Sequence, residues 1–149
     1  MTNSIVNCHD PNSADVVLLC APYDKTVSFG QGASKGPAAI LSSLQNQIER
    51  YDRLTKSDPS KKCKIASHTL RNLNRSSPSL MLRRVEQECQ KLLTKNAFII
   101  MLGGEHSVSL GALRAIASRY RPKDVTICQC DAHLDLRHDD SDYSDNPNG

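Results

Sequence analysis

"AFIIMLGGEHSVSLGALRAIASRY", residues 97–120, is the stretch from which the fold can be read. Ala97 to Leu102 form an apolar run rich in isoleucine, the clearest strand of the sequence. Gly103-Gly104 then turns the chain, and Ser107 is placed to cap a helix. Leu110, Leu113, Ile116, Ala117 and Tyr120 recur at helical spacing as the expected buried stripe of that helix. Strand, glycine turn and helix make one βα unit.

Similar units lie on either side. Upstream, "ADVVLLCA", Ala14 to Ala21, is a continuous apolar run that suits a parallel strand covered on both faces. A loop containing Gly30, Gly32 and Gly36 follows it. Pro37 then opens an expected helix to Tyr51, with Ile40, Leu41, Leu44, Ile48 and Tyr51 on one face. The polar middle carries one apolar island, "CKIASHTL", read as a short strand or bridge. Ser77-Pro78 starts a second helix, buried through Leu82, Val85, Cys89 and Leu92 and ending near Asn96. Downstream, "DVTICQC", Asp124 to Cys130, reads as a further strand ending directly on Asp131. Alternating strands and helices define an α/β fold, a three-layer parallel sheet with helices on both faces.

Composition bounds the function. A chain of 149 residues holds one core. Its formal charge of +3 comes from scattered basic residues, and its aromatics are dispersed. No basic stripe with stacking rings is present, so a nucleic-acid partner is not expected. There is no signal-like apolar segment and no apolar run long enough to span a bilayer, so a cytoplasmic protein without membrane partners is expected. Its six cysteines should then be reduced. Cys128 and Cys130 read as small buried strand residues rather than soft-metal ligands.

Ligands of open α/β sheets gather beyond the carboxyl ends of the strands. Two such ends carry donor side chains. In "GGEHS", His106 follows the glycine turn. In "DAHLD", extended backbone would put Asp131, His133 and Asp135 on one face, with Ala132 and Leu134 turned away. Taken singly, His106 reads as a capping or core histidine, and Asp131 and Asp135 as helix caps. At successive strand ends they instead form a nitrogen-and-oxygen donor set suited to Mn²⁺, Zn²⁺ or Fe²⁺. With both carboxylates free to bridge, a two-metal site that activates water is possible. Gly30, Gly32 and Gly36 brush against a dinucleotide fingerprint. They stand too far past the first strand for one, and a surface loop near the mouth of the site fits better. The acidic run Asp139, Asp140, Asp142 and Asp145 reads as a solvated loop.

"GGEHSVSLGALRA" followed by "QCDAHLDLR" resembles the ureohydrolases: arginase, agmatinase, guanidinobutyrase and formimidoylglutamase. "APYDKTVSFGQGASKGPAAI" and "QIERYDR" lean toward agmatinase, and the resemblance covers about residues 14–137. It implies an arginase-like fold and a Mn²⁺-dependent hydrolase that is oligomeric and releases urea from a guanidino substrate. For agmatine, the other product would be putrescine. By position, His106, Asp131, His133 and Asp135 match the family's ligands to a hydroxide-bridged manganese pair. Glu105, where the family often has Asp, would steady a ligand without binding metal.

The family's later motif, which contributes two more aspartates, and its catalytic-type histidine have no counterpart here. The expectation is therefore residues 1–149 as the N-terminal part of a single ureohydrolase domain, with an incomplete sheet and no turnover alone. The alternatives are a fragment that associates with other subunits without turnover, or a ureohydrolase with a different guanidino substrate.

Overall fold

The computed structural model describes residues 4–47 and 49–133. Ile48, Asp135 and the acidic run from Asp139 to Asp145 lie outside those residues. Three strands and three helices alternate: β1 (Val16–Ala21), α1 (Gly36–Asn46), β2 (Ile65–Thr69), α2 (Pro78–Thr94), β3 (Phe98–Gly103) and α3 (Val108–Arg119). The sheet order is β2-β1-β3, all parallel, with Leu19 opposite both His68 and Met101. The chain steps one way from β1 to β2 and the other way from β2 to β3. Right-handed crossovers therefore place α1 and α2 on opposite faces.

β1 is the central strand and carries the core. Every residue from Val17 to Ala21 is buried, as a strand covered on both sides requires. Val17, Leu19 and Ala21 share a cluster with Ala66, Leu70 and Leu73 and with the buried face of α2, Met81, Val85, Cys89 and Leu92. Each large side chain buried in this way contributes roughly 1.5–3 kcal/mol. α2 begins as its sequence dictates: Ser77 accepts from the Leu80 amide, and Pro78 takes the first turn.

Five expectations are corrected by the structure. α1 ends at Asn46 rather than Tyr51, because Gln47 leaves helical backbone. Beyond it, the Asp52 carboxylate captures the amides of Leu54 and Thr55, and Asp52 bridges Ser57. Local capture of this kind competes with helix.

Ser107 does not cap α3. Its backbone is already helical, and its hydroxyl donates to Glu105.

The buried face of α3 is also not the expected one. Val108, Gly111 and Ala115 are buried, whereas Leu110, Leu113 and Tyr120 are each about two-fifths exposed. The small residues win because they admit α2 closely: a Cβ at Gly111 would lie 2.7 Å from Cβ of Val85.

Residues 124–130 form no strand among the described residues. Val125 is extended but joins no strand, its amide donating to Pro122 O, and with Ile127 it lines an apolar groove of about 270 Å³ along Leu113, Ile116 and Ala117 of α3 and Tyr120 just past it. Cys128 and Cys130 are consequently exposed thiols rather than buried strand residues. An apolar run becomes a strand only where neighbours accept its backbone hydrogen bonds.

No helix among the described residues is long and apolar enough to cross a membrane.

One core group lacks a partner. The hydroxyl of fully buried Tyr23 makes no hydrogen bond among the described residues, and burial, with the Glu105 charge behind it, pushes its pKa up. Removing an unsatisfied buried hydroxyl recovers its desolvation cost. Tyr23→Phe is therefore expected to raise stability by up to about 1 kcal/mol, read by urea denaturation.

Candidate metal centre

The site grows from the point where β1 and β3 run past their last paired residues. The Gly104 amide donates to Ala21 O at 3.1 Å and the Glu105 amide to Tyr23 O at 2.8 Å. The two post-strand loops are thereby fastened side by side at the carboxyl end of the sheet. Gly104 permits this, since a Cβ there would sit 2.0 Å from Tyr23 O.

Glu105 completes the fastening. Its buried carboxylate accepts from the Thr26 amide at 2.8 Å, from the Thr26 hydroxyl and from the Ser107 hydroxyl. Its partners are thus the β1 loop and the start of α3, and it fixes the segment on which His106 stands. His106 itself is exposed.

Sequence reasoning missed Asp24. Buried beneath the glycine loop, it accepts from Ser34 Oγ at 2.7 Å, from the amides of Gly32 and Ser34, and from Asn74 Nδ2 at 2.8 Å. Asn74 lies fifty residues away, so local spacing held no sign of the pairing. The only signal was the pair of glycines, which adopt φ of +68° and +129° at Gly30 and Gly32. As expected, this loop lies beyond the carboxyl end of β1, with Phe29 fully out in solvent at its tip.

The Ser34 hydroxyl, then the Gly32 and Ser34 amides, hold the Asp24 carboxyl down to about 2 from an ordinary 3.8. The unfolded chain therefore binds more protons than the folded one between those values. The stability from Asp24 is fully present above 3.8 and is lost as pH falls through the window toward about 2. In Asp24→Asn that part of the acid-side decline in melting temperature is expected to vanish, which melting curves across the window would show.

Asp131 and His133 are in contact, but not through the extended alternation expected of them. Residues 132 and 133 form a bend. Asp131 Oδ1 accepts from the His133 amide at 2.8 Å and lies 3.3 Å from His133 Nδ1. The amide of His133, then its ring, lower the Asp131 pKa, and the charge of His106 adds to the effect. An aspartate readily closes such a turn when no neighbouring strand holds its backbone extended.

Asp135 lies outside the described residues. Among the described residues no three His, Cys, Asp or Glu side chains converge tightly enough to hold a metal ion. Imidazole and carboxylate are donor types that Mn²⁺ and Zn²⁺ accept, but among the described residues only Asp131 and His133 lie together.

The sequence profile of the arginase family matches residues 14–149. The chain is 31% identical to N(1)-aminopropylagmatine ureohydrolase of Thermococcus kodakarensis, over 93% of this chain and 45% of that protein. It is 31% identical to agmatinase of Bacillus subtilis, over 85% of this chain and 42% of that protein. Among solved structures, a variant of Trypanosoma cruzi formiminoglutamase with Mn²⁺ superposes with a TM-score of 0.79 at 28% identity, covering 93% of this chain and 46% of that one. The chain therefore spans less than half the length of these relatives.

Proposed function

The chain belongs to the arginase family, and from that premise we propose that it contributes to a manganese-dependent ureohydrolase acting on a guanidino compound, agmatine foremost. The observation that carries this reading is the fastening of the His106 segment, just past β3, beside the β1 loop at the carboxyl end of the sheet. The names of the T. kodakarensis and B. subtilis relatives support the agmatine-like substrate class. The Mn²⁺ in the T. cruzi structure supports the metal.

In this reading His106, Asp131, His133 and Asp135 are the donors. Bound metal would supply activation of a water molecule near neutral pH. The His133 amide stabilises the charged form of Asp131 and lowers its pKa. Glu105 keeps the His106 segment fixed through Thr26 and Ser107 and takes no metal. The described residues form part of one ureohydrolase domain that works in a reducing, cytoplasmic setting as a homo-oligomer.

A second reading is a non-catalytic module that associates with other subunits and holds a single ion. The exposed apolar stripe of α3 favours it.

Urea release separates the two. The longest natural form of the protein, given Mn²⁺, is expected to release urea from agmatine faster than from arginine or guanidinobutyrate. The 149-residue chain, in which the donors among the described residues do not converge, is expected to release none. Absence of turnover by the longest form on every guanidino substrate would overturn the catalytic reading.

A further inference from the structure

On the far side of β1 from His106, the outer edge of β2 and α2 enclose a cleft of about 720 Å³ lined by Ser67, His68, Arg71, Arg84, Gln87 and Glu88, among others. Such a volume admits a small molecule. Arg84 and Glu88 stand one turn apart on α2, the spacing at which opposite charges ordinarily pair. They do not pair.

Arg84 Nη2 donates to Arg71 O at 2.8 Å and Nη1 to Ser76 Oγ at 3.3 Å, which pins the guanidinium to the loop after β2. Glu88 Oε1 lies 3.6 Å from His68 Nε2 and 3.5 Å from Lys91 Nζ. Both contacts fall on one oxygen, and Oε2 has no partner among the described residues. Arg71 adds a second guanidinium, exposed and without a side-chain partner among the described residues. The cleft therefore presents two guanidinium groups where the loop meets α2 and, one helical turn further on, a carboxylate that shares Oε1 with Lys91 and His68 and leaves Oε2 open.

We propose that this cleft binds a small zwitterion of the amino-acid class, its carboxylate held by Arg71 and Arg84 and its ammonium by Glu88. A guanidinium fork matches a carboxylate in two parallel hydrogen bonds, and an ammonium donates to a free carboxylate oxygen. Single-charge ligands satisfy only one end. The site does not depend on the family's chemistry.

The test is calorimetric titration of the 149-residue protein with glycine and with 4-aminobutyrate, beside acetate and methylammonium. At least one zwitterion is expected to bind saturably, about 10-fold or more tighter than either single-charge ligand, the factor one charge-assisted hydrogen bond carries. Arg71→Gln and Glu88→Gln should each abolish that preference, with melting temperature showing that both variants fold. The proposal is overturned if acetate binds as tightly as the zwitterions, if nothing binds saturably, or if the preference survives both substitutions.

Discussion

Gly104→Ala is expected to break the junction between β3 and α3 and to cost about 3 kcal/mol or more. A Cβ at that position would meet Tyr23 O at 2.0 Å, Tyr23 N at 2.8 Å and Tyr23 C at 2.9 Å. These are backbone atoms of a fully buried residue, so no side chain can swing aside. Relief requires the β1 and β3 loops to part, which breaks the bond from the Glu105 amide to Tyr23 O and loosens the Glu105 contacts to Thr26. Denaturation by urea, followed by circular dichroism, reads the loss. Gly30→Ala is the comparison: its Cβ meets nothing within 4 Å, so only its φ of +68° opposes the change. It should cost about 1–2 kcal/mol. Equal stability of the Gly104 variant and the parent would mean that the two loops are not in contact.

The second large effect is on turnover. Asp131→Ala and His106→Ala, each in the longest natural form, are expected to lower urea release by about 10²-fold or more. Loss of groups that merely support a metal ligand already costs about 10–100-fold, and a direct donor should cost at least as much. Asp131 has the further task of closing the bend that presents His133. Its loss should therefore also weaken the contribution of His133, so that the double variant Asp131→Ala/His133→Ala is scarcely worse than Asp131→Ala alone. His9→Ala serves as control, because Asn7 and Cys8 bond the start of β2, at the opposite end of the sheet. Comparable loss in the control would point to general damage.

The parts of the fold legible in the sequence were those whose signal is local. β1, buried from Val17 to Ala21, announced itself as an uninterrupted apolar run, and α2 carried its own cap, proline and stripe. α3 was legible as a helix but not in its orientation. Hydrophobic periodicity marks large residues, whereas the buried face is made by small ones: Gly111 admits Val85 closely, and Ala115 is fully buried. Residues 124–130 have strand composition, but pairing is a property of neighbours, and no strand lies beside them among the described residues.

The candidate site divides in the same way. Residue types and spacing brought His106, Asp131 and His133 forward; Asp131 and His133 are neighbours in the structure, and His106 does not converge with them into a three-donor cluster among the described residues. The supports were hidden because they are long-range. Asp24 reaches Asn74, and Glu105 reaches Thr26 across seventy-nine residues.

Manganese uptake tests the central claim most directly. The longest natural form is to be equilibrated with Mn²⁺, freed of excess and assayed for bound metal, beside its His106→Ala, Asp131→Ala and His133→Ala variants. The account predicts tightly held manganese in the parent and a marked loss in each variant, with circular dichroism unchanged. Retention of the parent's full manganese content by all three variants would contradict it.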